Sequence, residues 1–240
     1  MRVDIVSIFP EALSALDVSL MAKARERGLL ALKVWNLRDF AADRHKQVDD
    51  VPYGGGPGMV MKPEPFFAAV EAITAQSPGR PRVLLTSPQG RRFDQRAAEE
   101  FAREPHLIIL CGRYEGVDER VVLGLGAEEI SIGDYVLNGG ELAAMVIVET
   151  VARLLPGVVG DEQSVEADSF TSGLLDYPHY TRPAEIRGLR VPEVLLSGHH
   201  EQIRKWRRRE QLRRTLARRP DLIDWVRLSD EDRAALRGES

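Results

Sequence analysis

Short apolar runs of strand length recur along the first 160 residues, each followed by a segment of helical periodicity, and this alternation constrains the fold more than any other feature. Val3, Ile5, Val6, Ile8 and Phe9 form the first run, stopped by Pro10, and EALSALDVSLMAKARERG then carries a helical pattern up to Gly28. LLALKVWNL is a second extended run. It leads into the segment from Arg38 to Gly58, whose Asp, Pro and Gly residues oppose regular structure and suit a functional or mobile loop. A helix is expected from about Pro63 to Gln76, then the strand RVLLT, the loop SPQG, a helix from about Asp94 to Arg103 and the strand HLIILCG. A short helix near Asp118 to Leu123, the strand EEISIG, the loop DYVLNGG and a long apolar helix from Glu141 to Leu155 complete the series, ended by Pro156 and Gly157. The pattern predicts an α/β fold with a mainly parallel sheet.

The alternation stops at GVVGDEQSVEADSF, and the rest of the chain is basic, helical and poor in strand signals. Three parts are expected: an α/β domain over 1–159, a flexible linker over 160–168 and a small all-helical domain over 169–240. Charge divides the same way. The whole chain carries −4, but His199 to Arg219 holds nine Lys/Arg and two Glu, a local +7 that leaves −11 elsewhere. Such asymmetry points to an anion-binding region on an acidic body, with a solvated helix face as the alternative. Ile203 and Trp206 share one face of this helix while Leu212 and Leu216 fall roughly opposite, so it either breaks or packs on two sides. No stretch approaches the ~18 apolar residues of a membrane span, and MRVDIVSIFP lacks a signal-peptide pattern, so a cytoplasmic location without membrane contact is expected. The lone Cys111, inside HLIILC, forbids an internal disulfide and is expected to be a buried, reduced thiol.

In open α/β sheets ligands bind beyond the carboxyl ends of the strands, and three successive strands here run into glycine-bearing loops, LTSPQG, CGRYEG and SIGDYVLNGG. Glycine allows close backbone approach to a flat ligand, so a nucleoside-type cofactor suits them, although any one of these glycines could merely turn the chain. Neither G-x-x-x-x-G-K-[ST] nor G-x-G-x-x-G after the first strand occurs, which removes support for P-loop and ordinary Rossmann readings. Gly54 to Gly58 (GGGPG) alone is a weak anion-nest signal. His199 and His200 point about 100° apart on a helix, so no metal is assigned to them.

The motifs VDIVSIFP, PYGGGPGMVMKPEP, SPQGR, LCGRYEGVDERV, SIGDYVLNGGELAAM, LLPGVVG, DSF, GLLDYPHYTRP and VLLSGHHEQIRKWRRR occur in this order across nearly the whole chain. In them the chain closely resembles the bacterial tRNA (guanine-N1)-methyltransferases, knotted SPOUT-class enzymes that methylate the guanine 3′ of the anticodon, position 37. The resemblance implies a deep trefoil knot around S-adenosylmethionine, which periodicity does not suggest. It places Leu85, Thr86, Ser87, Pro88, Gly90, Gly112, Tyr114, Glu115, Ser131, Ile132, Gly133, Asp134, Tyr135, Val136, Leu137, Gly139 and Gly140 around that cofactor. It further implies a homodimer whose active site joins one subunit's cofactor loops to the other's C-terminal domain.

Guanine N1 carries a proton at neutral pH, so its methylation needs a general base and a group that stabilises charge growing on O6. By the resemblance these are Asp168 and Arg153, with Glu115 close to the cofactor. On residue pattern alone Asp168 could instead cap a helix beginning near Ser169, and Arg153 could be a solvated residue of a last helical turn. Asp176, His179 and Arg182 resemble the segment that contacts the target base or its neighbours, and Arg204, Lys205, Arg207, Arg208 and Arg209 would bind tRNA phosphates. Trp206 is expected to pack rather than stack on a base. One departure is Leu85–Thr86, where the family often has a Tyr-Leu pair before SPQG. A related enzyme with another RNA acceptor and a non-catalytic tRNA-binding protein are the alternative functions, and the sequence leaves open whether Mg2+ assists.

Overall fold

The computed structural model describes residues 1–160 and 168–237, and the chain divides into two compact units, Met1–Gly160 and Asp161–Ser240. Residues 161–167 of the linker expected at 160–168 lie outside the described residues.

In the first unit the strands are β1 (Arg2–Ser7), β2 (Ala31–Asn36), the two-residue β3 (Asp49–Asp50) and β4 (Val60–Met61), β5 (Arg82–Arg92), β6 (His106–Cys111) and β7 (Glu128–Ser131). Five form a wholly parallel sheet in the order β2-β1-β6-β5-β7. The helices are α1 (Ser19–Glu26), α2 (Pro63–Thr74), α3 (Gln95–Phe101), α4 (Glu119–Leu125) and α5 (Glu141–Arg153). The first four lie between strands as crossovers, which a parallel pair requires. Asp94 and Asp118 cap α3 and α4, accepting from the Ala97 and Arg120 amides at 2.9 Å each.

Strand β6 is central and buried throughout, which is why HLIILC reads as one apolar run rather than an alternation. Its odd residues Leu107, Ile109 and Cys111 join Val3, Ile5 and Leu84 on one face, under Met21 of α1, Phe101 of α3 and Ile147 of α5. Ile108 and Leu110 join Val6, Val83 and Leu85 on the other, under Phe66 and Ile73 of α2 and Val121 of α4. Each such side chain contributes about 1.5–3 kcal/mol by leaving water. The Asp4 carboxylate is buried beside them. Asp4 accepts from Trp35 Nε1 and Arg2 Nε at 2.6 Å each and lies 2.7 Å from His106 Nε2, tying β1 to both neighbours with no oxygen left unsatisfied.

Three local expectations change. The helix expected between Pro10 and Gly28 is two pieces, a 3-10 helix at Pro10–Asp17 and α1, separated by extended Val18, with the first residue of α1, Ser19, at φ +54. The break rephases the chain: Leu13 and Leu16, three apart, suit a 3-10 turn, and Met21 and Ala24 then reach the same core. The loop expected without regular structure contains a 3-10 turn, Leu37–Phe40, and closes on itself where β3 pairs antiparallel with β4. Buried Val48 anchors that closure. SPQG is an excursion within β5: Thr86 and Arg91 both pair with Ile130, so Ser87 to Gly90 bulge out between them.

Among its described residues the second unit has helices only from Glu193 onward, after turns and irregular chain over 168–184 and a hairpin of two-residue strands, Glu185–Ile186 with Leu189–Arg190, so it is not all-helical as expected. Arg187 and Gly188 both take positive φ in the turn, the geometry that fits the strand twist. The basic helix is continuous over His200–Arg218 and therefore packs on two sides. Leu212 lies in a small core with Leu174, Ile223 and Leu228, while the half-buried Trp206 sits 6.4 Å from Tyr180.

Candidate functional site

Because β5, β6 and β7 are neighbours, their carboxyl-end loops meet over one cavity of about 240 Å³. Of the residues assigned to a cofactor, Leu85, Thr86, Ser87, Pro88, Gly112, Tyr114, Glu115, Ser131, Ile132, Gly133, Tyr135, Val136, Leu137, Gly139 and Gly140 line it. Gly90 and Asp134 do not. A Cβ on Gly90 would overlap the Glu129–Ile130 backbone, so this glycine lets the β5 excursion return against β7. Asp134 is exposed on the outside of its loop. Arg113, Asn138 and Glu119 also line the cavity and were not foreseen.

Each loop is held by its own backbone contacts. The β6 loop is braced by β4: Glu115 N–H donates to Met59 O at 3.0 Å and Met61 N–H to Gly116 O at 2.9 Å. Tyr114 takes φ +59 and Gly116 φ +142 to make the turn. A Cβ on Gly58 would overlap the Glu115 carboxylate, so the PYGGGPG loop lies directly against that side chain. In the β7 loop Ser131 Oγ donates to Gly133 O at 3.0 Å and accepts from Gly133 N–H at 3.2 Å. The Gly139–Gly140 segment crosses the end of β6, with Gly140 N–H donating to Gly112 O at 2.9 Å and Arg113 bridging Gly139. Thr86 Oγ1 beneath it donates to Leu110 O at 3.1 Å. Cys111 is buried behind the cavity, and that burial pushes its thiol well above the ordinary range, so it stays protonated.

Arg153 lies half-buried in the last turn of α5. Asp168 is half-buried at the start of a run of bends and turns, and among the described residues no helix begins near Ser169 for it to cap. In the second unit Asp176 Oδ2 is 2.7 Å from His179 Nε2, and the Asp176 amide donates to Ser169 Oγ at 2.9 Å. The following Tyr177 ring lies 4.7 Å from His179, with the Arg207 guanidinium 4.8 Å above it. Arg182 is exposed.

The cations of the basic helix fall into two groups. Arg208 makes two 2.8 Å bonds to Asp232, Arg204 holds Glu201 at 2.7 Å, and Lys205 lies 3.4 Å from Glu231. Arg207 has no acidic partner among the described residues, and Arg209 Nε is buried without a hydrogen bond. Tyr177, His200, Arg204, Arg207 and Gln211 face a groove of about 880 Å³. Among the described residues no group of three or more His, Cys, Asp and Glu could hold a metal ion, and no helix is long and apolar enough to cross a membrane.

A parallel sheet whose glycine loops close one small cavity over three adjacent strand ends defines a ligand-binding α/β protein. The family model for tRNA (Guanine-1)-methyltransferase TrmD matches residues 1–225, and the chain belongs to that family. It is 55% identical over 238 residues to the tRNA (guanine-N(1)-)-methyltransferase of Geobacillus kaustophilus, covering 99% of this chain and 97% of the relative. It is 58% identical to that of Moorella thermoacetica, covering 98% and 95%. With the Dictyoglomus turgidum enzyme it shares 54%, covering 97% and 94%.

Proposed function

We propose that this chain transfers a methyl group from S-adenosylmethionine to N1 of the guanine at position 37 of tRNA. The observation that carries the reading is the cavity at the ends of β5, β6 and β7, lined by the residues that the family resemblance assigns to the cofactor. Its chemistry fits a nucleoside: Gly112, Gly139 and Gly140 let the loops pack closely against the sheet end, and peptide groups of the β7 loop that line the cavity can supply donors and acceptors for ring nitrogens and hydroxyls. The cofactor supplies an electrophilic methyl group on a sulfonium.

This chain's residues do the rest. Asp168 takes the proton from guanine N1, and Arg153 donates toward O6 as negative charge grows there. Glu115, which lies against Gly58 and lines the cavity, acts close to the cofactor. Asp176, His179 and Arg182 contact the target base and its neighbours, while Arg204, Lys205, Arg207 and Arg209 face the tRNA backbone and Arg208, also expected there, is instead held by Asp232. The domains are 1–159, which binds the cofactor within a trefoil knot, a linker over 160–168, and the tRNA-binding part over 169–240. Leu142 and Val146 of α5 are 56% and 46% exposed, an unpartnered apolar face that suits a second copy of the chain in a cytoplasmic homodimer.

Replacing Asp168 with Asn tests the base. Methyl transfer is expected to fall at least a hundredfold while cofactor and tRNA still bind, and near-normal transfer would remove Asp168 from the role. Mass-spectrometric mapping of the methylated nucleotide separates guanine N1 from other acceptors, and transfer with and without chelator decides whether Mg2+ takes part.

A further inference from the structure

Beneath the Gly139–Gly140 segment four residues close a ring of contacts that neither the proposed chemistry nor the cavity lining accounts for. The Phe9 amide donates to Ser7 Oγ at 2.9 Å, and Ser7 Oγ donates to Glu141 Oε1 at 2.6 Å. Glu141 Oε2 lies 3.5 Å from Arg113 Nε, and the Arg113 guanidinium covers the Phe9 ring at 4.4 Å, returning the ring to its start. The four residues come from the end of β1, the end of β6 and the first turn of α5. Glu141 is only 3% exposed. A buried ion pair is a poor source of stability, because desolvation cancels most of its attraction, but a strong constraint on geometry.

That constraint acts directly on Gly139, one of two adjacent glycines of the cavity wall. A Cβ on Gly139 would overlap Arg113 Nε and Glu141 Oε2, whereas one on Gly140 would overlap Thr86 Oγ1 and touch the β6 end. Gly139 therefore rests on the ion pair and Gly140 on the sheet. Arg113 Nε is buried with no hydrogen bond, and the guanidinium is held by the Glu141 charge at 3.5 Å and by the Phe9 ring.

We infer that Glu141, with Ser7 and Arg113, is a positioning residue that sets cofactor affinity by fixing the Gly139–Gly140 wall, without entering methyl transfer. The inference rests on the reading of this cavity as the S-adenosylmethionine site. Glu141→Gln keeps the shape and removes the charge that holds Arg113. Titration calorimetry with S-adenosylmethionine is expected to show Kd raised about tenfold, from the loss of a charge-assisted contact. KM for the cofactor should rise in parallel, with kcat at saturation within about threefold of wild type, the pattern of lost uniform binding. Ser7→Ala should raise Kd less, and Ser7→Thr, which keeps the hydroxyl, should restore it.

A folded Glu141→Gln variant with wild-type Kd overturns the inference, as does a fall in kcat at unchanged Kd. If Glu141→Gln does not fold, the contrast between Ser7→Ala and Ser7→Thr decides by the same titration, and equal Kd values for the two overturn it. Failure of the wild-type protein to bind S-adenosylmethionine would instead refute the reading of the cavity.

Discussion

Gly140 offers the sharpest test of how the cavity is built. Its backbone is ordinary, at φ −81 and ψ −5, so a side chain meets no conformational strain there. The obstacle is contact: a Cβ would overlap Thr86 Oγ1 and lie 3.0 Å from both Cys111 Cα and Gly112 N, two backbone atoms of the sheet that have little room to yield. Overpacking of this kind costs about 1–3 kcal/mol. Gly140 also caps α5, and Ala is the poorer cap by up to about 1 kcal/mol. Gly140→Ala should thus lower stability by about 1–4 kcal/mol, a melting-temperature drop of roughly 2–16 °C, and weaken S-adenosylmethionine binding in calorimetric titration. Gly140→Ser separates the two causes, because Ser caps at least as well as Gly but carries the same Cβ. It should be nearly as damaging as Ala. A Gly140→Ser protein that melts and binds like wild type would refute the contact argument.

Asp4→Ala should cost about 3–5 kcal/mol in thermal or urea unfolding, since it strands the Arg2, Trp35 and His106 donors. Cofactor Kd should be unchanged wherever the variant is folded, because Asp4 lies in β1, which contributes no residue to the cavity wall. Arg207→Ala should weaken tRNA binding severalfold and lower the salt slope of log K by about one, with the melting profile unchanged. Arg208→Ala should instead destabilise the second unit by about 1–3 kcal/mol, leaving Asp232 buried without its partner; equal effects of the two variants on tRNA binding and melting would contradict the division. The Arg208 guanidinium holds the Asp232 carboxyl below its usual 3.8. A folded-state value depressed below the unfolded one contributes stability at neutral pH that is lost as pH falls below about 4. Circular dichroism melts between pH 6 and 3 should show that loss in the wild type and a flatter profile in Asp232→Asn.

The strand interiors were legible because burial on both faces leaves a continuous apolar run, as in HLIILC, and the caps Asp94 and Asp118 announced α3 and α4. The cavity wall was legible through the family resemblance, which grouped loops distant in sequence. What stayed hidden was set by tertiary contact. Nothing local marks Val18 as a break, since both flanking segments keep their apolar spacing and only the shared core requires the rephasing. Glu141 reads as a surface residue heading an apolar helix, and its partner Ser7 is 134 positions away. A carboxylate at the first position of a helix otherwise rich in Ala, Val, Ile and Met was the one available signal, and it equally suits a favourable helix dipole.

The basic helix shows why a charge count alone misleads. Its +7 identifies an anion-binding face only if the cations are free, yet acidic residues hold Arg204, Lys205, Arg208, Arg213 and Arg219. Exposed pairs such as Arg204–Glu201 are screened by water and exchange readily for a phosphate, whereas Arg208, bidentate to a buried carboxylate, does not. Arg207 differs from both. It lies over Tyr177, a stacking contact that narrows its rotamers without neutralising it. Arg207 therefore already holds its place beside the groove, while Arg204 must first release Glu201. The family resemblance treats the five cations as equivalent phosphate ligands, but their partners rank them, with Arg207 first and Arg208 committed to the fold.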